Sequence, residues 1–512
     1  MGGDGGQWPS IHRQLSDQCE VREHQTVKHP LRRLLVPALL LALSVPAAQA
    51  APRSAEGDAA VALLQDLIRF ETVNAPGDTT KLAAYLDSLF KPLGVETEVI
   101  LAPNGKAAHF IARLKGDGSL EPVLLAAHTD VVPVEREFWT VDPFAATIKD
   151  GFVYGRGALD NKSAVAVFAR AVMRLAREKV KLKRDIIFLA EADEEQGRFN
   201  TGWLAQNHWD KINAAVALNE GGNTMLDPDG KVRQINISVA DKQTLNLKLT
   251  ARGKAAHSSL AVPPLETANG QLIAALGKIA FTETPIRLTP PAVSYFKGLA
   301  RLNPGPLSGA VERLLAAGDD AARLVAAKEV LEAHPKEAPT LSALMRDTMV
   351  VTMINAGVKP NIIPGEAEAI MNARLMPGVD VYQFVEQVKA LIGNPAIEVE
   401  IVNSRPKEEQ AEFFRQRSAI QPSSIETDLF GALEKQAKRV WPGAQVLPVM
   451  LQASTDAGAW RARGVPVYGI RPFPTDPDTS SRVHGHDERV AVKSIHEGVD
   501  YVYGVLKQVA AR

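Results

Sequence analysis

The chain has 512 residues, 46% apolar and 23% charged, with a formal net charge of −1. That balance is ordinary for a folded protein with room for two or three domains, and it carries no basic excess that would point to nucleic acid or an anionic membrane. Cys19 is the single cysteine, which excludes a disulfide framework, a thiolate cluster and a Cys-x-x-Cys redox pair, so any metal must be held by His, Asp and Glu.

Residues 1–50 read as an extension and an export leader. Lys28, Arg32 and Arg33 precede the apolar run Leu34–Ala48, and Ala48-Gln49-Ala50 supplies a small-x-small cleavage pattern. The run is short for a span of ~20 residues and is interrupted by Pro37 and Pro46. The expectation is an exported protein, periplasmic or secreted, without a stable membrane span; a retained anchor is the weaker alternative.

Residues 51–240 have the texture of an α/β unit. Apolar residues at helical spacing predict helices over 59–70 and 81–93, and strands follow at 95–101 and 109–114. Val123–Ala127 is a short apolar run, the mark of a strand buried on both faces, and it ends in His128, Thr129 and Asp130. A Gly-rich turn, Phe152–Asn161, brings Asp160 to the start of a long apolar helix over 163–177. Two more buried runs, 185–190 and 214–218, lead into Glu194-Glu195 and Glu220. This alternation predicts a sheet layered by helices.

From about residue 241 to 403 the texture changes. Thr244–Thr250 alternates strictly, as a half-exposed antiparallel strand does. A helix over 267–278, strands at 349–355 and 367–375, a helix over 381–391 and a strand at 397–401 complete a β-α-β-β-α-β order, the ferredoxin-like split unit. The Pro-, Leu- and Ala-rich stretch 285–343 reads as a helical elaboration of this inserted unit. Residues 404–512 return to the first texture, with helices over 427–439, 455–463 and 492–508, strands at 446–450 and 465–470, and His484 in a late loop.

Each polar group at a strand end is, alone, an ordinary surface residue. Together, His128, Asp160, Glu194, Glu195 and Glu220 follow elements whose carboxyl ends point one way, into the crevice where open α/β sheets hold ligands. Packed carboxylates repel unless a cation compensates them. Two histidines and several carboxylates without a thiol suit Zn²⁺, with Co²⁺ or Mn²⁺ as substitutes, and two metals sharing one carboxylate would use the whole set. No Gly-x-Ser-x-Gly elbow, phosphate-binding loop or His-Glu-x-x-His helix offers a competing chemistry.

The segments HTDVVP (128–133), GRGALDNK (155–162), EADEEQG (191–197), NEGG (219–222), GKAAHSS (253–259), NARLMPG (372–378) and HGHDERV (484–490) resemble those of the di-zinc metallopeptidase family of glutamate carboxypeptidase, aminoacylase, acetylornithine deacetylase and succinyl-diaminopimelate desuccinylase. The likeness is greatest to the carboxypeptidase S and N-fatty-acyl-amino-acid hydrolase branch. The resemblance implies a zinc-peptidase-like sheet with an inserted lid or dimerisation unit. It also implies cleavage of the amide that releases a C-terminal amino acid from a small peptide or N-acyl amino acid, with hydroxide between the metals as nucleophile.

By the same resemblance, Asp160 bridges two zinc ions, His128 and Glu220 complete one site, and Glu195 and His484 the other. Asp130 orients His128, and Glu194 is the general base. His257 stabilises the oxyanion, often from the partner subunit of a homodimer; without the resemblance it reads as a turn histidine contacting Ser258. Arg374 receives the substrate carboxylate, assisted by Asn361. Asn161 stands where the family commonly has a second Asp, and His486 is a competitor for the place of His484. The competing readings are a deacylase without peptidase action and a non-catalytic binding relative; the complete ligand set argues against the latter.

Overall fold

The structure, a computed structural model, describes residues 54–195, 197–403, 405 and 407–512. The expected leader lies outside them. Among the described residues no helix is long and apolar enough to cross a membrane.

A ten-stranded mixed sheet carries the apolar runs. Its order is Glu96–Leu101, Ala108–Leu114, Ile186–Glu191, Val123–His128, Val216–Asn219, Val467–Gly469, Val232–Asp241, Asn223–Leu226 and Pro474–Thr475, with Gln445–Leu451 paired beside Val232–Asp241. The strand Val123–His128 runs parallel to both Ile186–Glu191 and Val216–Asn219, in a register that sets His128 opposite Glu191. Every residue of these three strands is buried, because both faces are covered, and that is why they read as unbroken apolar runs rather than alternation. Val123, Leu125 and Phe188 pack toward the helices Ala55–Arg69, Lys162–Arg177 and Val492–Ala510. Leu124, Ala126 and Ile187 pack toward Leu204 and Trp460 on the other face.

The second sheet has the order Thr348–Asn355, Glu366–Leu375, Gln243–Arg252, Ile397–Val402, antiparallel throughout. With the helices Ala268–Ala280 and Val381–Ile392 it makes the expected ferredoxin-like arrangement around its own core. Residues 285–343 contain Pro290–Leu302, Pro306–Ala316 and Asp320–Ala333, followed by Ala338–Met345, so the elaboration is helical.

Three elements depart from expectation. The helix anticipated over 455–463 shrinks to Gly458–Arg461, since Gly458 and Gly464 bracket too few residues to propagate it. The strand Val232–Asp241 carries Asn236 and Ser238, which are buried and so mask its strand character in sequence. The helix Lys407–Ala419 has only Phe414 buried and hence no apolar stripe to reveal it.

Candidate metal centre

Parallel pairing brings the carboxyl ends of three strands to one edge, and six of the singled-out side chains meet there. His128, at 1% exposure, points Nε2 at Asp160 Oδ1, 2.9 Å away, and at Glu220 Oε2, 3.3 Å away. His484, in the loop before the last strand, points Nε2 at the other oxygen of Asp160, Oδ2, and at Glu195 Oε1, both at 3.1 Å. Asp160 therefore offers one oxygen to each imidazole. Glu194 closes on the first half, where His128, Glu194 and Glu220 have ligand atoms within 4.8 Å of one another; so do His128, Asp160 and Glu195.

The electrostatics are those of a cluster that calls for positive charge. Burial opposes ionisation of Asp160, but the two imidazoles outweigh it and hold the carboxyl below its ordinary range. Burial works against a charged His128 ring too, yet Glu220 and Asp160 raise it well above its usual value. Hydrogen bonds to Asp160 and Glu195 bring His484 to about 10. Protons on the two Nε2 atoms thus do what divalent cations do in a carboxylate–imidazole site, which is the sense in which this donor set fits a metal pair. Glu194 is pushed well above the carboxylate range by burial, then by Glu220 and Asp456.

Asp130 reaches His128 differently from the sequence expectation. Nδ1 lies 2.9 Å from the Asp130 carbonyl and 3.8 Å from its carboxylate. The carboxylate instead accepts from the backbone N–H of Glu194 at 3.2 Å and of Glu195 at 3.1 Å, and from the Asn74 amide. Two residues, Asp193 and His484, hold left-handed backbone (φ 64° and 60°) beside the cluster, a conformation that is uncommon for residues other than glycine but tolerated best by Asp, Asn and His.

Of the remaining singled-out residues, only Asn161 bonds to an acid of the cluster. His257 is exposed, on a two-residue ribbon with Ile362, and its Nδ1 meets Ser259 Oγ at 2.8 Å rather than Ser258. The Asn361 carbonyl accepts from Ser258 N on the same ribbon. Arg374 donates from Nη1 to Thr244 Oγ1 at 2.6 Å and from Nε to Asn372. His486 turns to Glu135, 3.0 Å away, and not to Asp160 or Glu195. Asn161 donates to Glu220 Oε2 at 3.1 Å.

The sequence profile of peptidase family M20/M25/M40 matches residues 124–508, a span that contains all six converging side chains. The chain belongs to that family. Mouse N-fatty-acyl-amino acid synthase/hydrolase PM20D1 is 29% identical over 86% of this chain and 86% of its own length. Pig aminoacylase-1 is 26% identical over 90% and 98%. Among solved structures, the M20 family metallo-carboxypeptidase Sso-CP2 of Sulfolobus solfataricus superposes with a TM-score of 0.63 at 20% identity, covering 88% of this chain and 99% of that one, a likeness of fold.

Two residues that build this M20 site escaped the sequence reading. Glu488, fully buried, accepts from Leu159 N at 2.6 Å, Asp160 N at 3.0 Å and Gly157 N at 3.1 Å, and it pairs with Arg156 at 2.7 Å. It thereby fixes the turn that presents Asp160. His109, also buried, accepts from Ala192 N at Nδ1 and meets the Phe199 carbonyl at Nε2, pinning both ends of the segment that carries Glu194 and Glu195. Glu488 had a signal, its place in HGHDERV beside His484. His109 had none, being a lone histidine in a strand that is mostly apolar.

Proposed function

We propose that this M20-family enzyme is a di-zinc amidohydrolase that releases a C-terminal amino acid from small peptides or N-acyl amino acids. The observation that carries the reading is the split of Asp160, one oxygen toward each imidazole. His128 and Glu220 with Asp160 would hold one Zn²⁺; Glu195 and His484 with Asp160 would hold the other, with Co²⁺ or Mn²⁺ as substitutes. When bound, such ions polarise the scissile carbonyl and lower the pKa of water from about 15.7 toward ~7.

The chain's own residues supply the rest. Glu194 takes the proton of the attacking water on its carboxylate and returns it to the leaving nitrogen; burial moves its pKa upward, toward the range a general base needs. Asp130 holds the Glu194 backbone through its carboxylate and the His128 ring through its carbonyl. Arg374, with hydroxyl and amide partners but no carboxylate within ion-pair distance among the described residues, receives the substrate carboxylate. Asn361 assists Arg374 there, and His257 acts from the partner subunit of a homodimer. The edge strand Thr348–Asn355, with Val350, Met353 and Ile354 exposed, is the surface for that pairing.

Export through a leader cleaved near Ala50 belongs to the same proposal, as does a division into units 51–240 plus 404–512 and an inserted 241–403. Glu194→Ala tests the mechanism: metal content is retained, and hydrolysis falls by ~10²–10⁴-fold. Full activity would refute it. The second reading, a dedicated N-acyl-amino-acid deacylase, is favoured by the relative named for N-fatty-acyl-amino acids. Dipeptides assayed against N-acetyl and long-chain N-acyl amino acids separate the two, since exclusive acyl cleavage would remove the peptidase label.

A further inference from the structure

A cavity of about 630 Å³ opens beside the Glu194–Glu195 segment, between Asn200 and Asp456 on one wall and Thr244, Ser454, Phe413 and Arg417 on the other. Arg417 comes from the helix Lys407–Ala419, an element that none of the site motifs contains. Phe414 anchors that helix by burial against the second core, edge-on to Tyr382. Phe413 lies 5.4 Å from the Arg417 guanidinium and 4.2 Å from that of Arg405.

Arg417 and Arg374 are joined through two hydroxyls. Arg374 Nη1 donates to Thr244 Oγ1 at 2.6 Å, Thr244 Oγ1 lies 2.9 Å from Ser454 Oγ, and Arg417 Nη2 approaches Ser454 Oγ at 3.4 Å. Ser454 in turn donates to the Lys242 carbonyl. Hydroxyls orient the two guanidiniums without neutralising either.

Two other embedded arginines behave differently, although buried Arg346 also has no ion-pair partner among the described residues. Arg156 has Glu488 at 2.7 Å, and Arg461 has Asp241 at 2.8 Å. The acids nearest Arg417 are already engaged. Asp241 is held by Arg461 and Thr455, and Asp456 accepts from Asn200 and Thr201, while burial raises its carboxyl to about 7. Among the described residues neither Arg374 nor Arg417 has an ion-pair partner. Burial lowers both, and at Arg417 the neighbouring Arg405 and Arg374 add to it. Arg417 lines the cavity and Arg374 stands behind it, reaching the wall through Thr244, and two cations kept without anions on either side of those hydroxyls are a receptor for an anion.

The geometry points to Arg417 as a second substrate-binding arginine that, together with Arg374, clamps the free carboxylate of the substrate at the Thr244–Ser454 wall of the cavity. This rests on the reading of Arg374 given above and goes beyond it by assigning half of the carboxylate site to the helix Lys407–Ala419. The apolar part of the wall, Phe413 and Leu245, then faces the uncharged remainder of the substrate.

The test uses the metal-loaded enzyme and a matched pair of substrates, an N-acyl amino acid and its carboxamide. Arg417→Met raises KM for the acid about 10–100-fold, the loss of a charge-assisted contact, with kcat little changed. It leaves kcat/KM for the carboxamide where it was. Arg417→Lys restores part of the loss, because an ammonium supplies charge without the planar fork. An equal penalty on acid and carboxamide would make Arg417 structural and overturn the inference. So would a penalty confined to substrates with a second acidic group.

Arg374→Met is run alongside. If it separates acid from carboxamide and Arg417→Met does not, only this inference fails; if neither separates them, the carboxylate reading itself fails. Arg417→Gln and Ser454→Ala carry the same comparison if the methionine variant does not fold.

Discussion

The two histidines of the cluster are chemically alike and structurally opposite. His128 ends a strand buried on both faces and is 1% exposed, whereas His484 sits in a loop at 50% exposure with φ 60°. Both present Nε2 to the same carboxylate. One half of the site is therefore part of the sheet, and the other is a loop brought up against it. What makes the loop precise is an acid four residues on: Glu488 ties the loop to the Asp160 turn from inside the protein. Exposure of a functional group need not mean looseness when its neighbour is buried.

That contrast is open to mutation, and the largest effect falls on the tie. Glu488→Ala leaves the Arg156 guanidinium buried without its partner, so urea unfolding shows a loss of ~3–5 kcal/mol. A loss below about 1 kcal/mol would mean that the loop is held elsewhere. Next comes the buried histidine: His128→Ala removes an embedded ring and strands its acid partners, lowering stability by ~2–4 kcal/mol. His484→Ala, measured in the same metal-free protein, costs less, about 1 kcal/mol, because its ion pairs with Asp160 and Glu195 are made by a half-exposed ring. Both abolish hydrolysis. Equal unfolding midpoints would erase the distinction between the halves.

His109 supplies a pH test of the buried half. Burial holds its pKa down at about 4, below the ordinary 6.5, so the unfolded chain takes up the proton first. Its stabilisation is present above pH ~6.5 and is lost as pH falls toward 4, a change on the order of 3 kcal/mol. His109→Gln flattens that part of the stability profile relative to the parent; an unchanged profile would show that the ring does not titrate with folding. The smallest effect belongs to His486, whose partner is Glu135. His486→Ala leaves metal content and turnover unaltered, and a lost equivalent of metal would move it into the site.

The sequence made the sheet legible where burial was two-sided. Val123–His128 and Ile186–Glu191 stood out because no polar residue interrupts them before His128 and Glu191. The acids were legible for the same reason, as abrupt ends of apolar runs, and their roles came from the resemblance. Val232–Asp241 was not legible, because its Asn236 and Ser238 are polar yet buried. Neither was the helix Lys407–Ala419, which leans on the rest of the molecule through one phenylalanine. Periodicity reports how a segment meets solvent, and both segments meet it atypically. Glu488 and His109 were hidden because hydrogen bonds to distant backbone leave no local pattern.

Glu488 also has a consequence for the order of assembly. The turn that presents Asp160 receives its acceptor from a residue more than 300 positions further along the chain. As the polypeptide is made, the strand bearing His128 and the one that leads into Glu195 are finished early, but the carboxylate between the two halves cannot be fixed until the last strand and helix arrive. A nascent or C-terminally cut chain would hold much of the sheet and no finished centre, so hydrolytic competence comes with completion of the polypeptide rather than with folding of its first half.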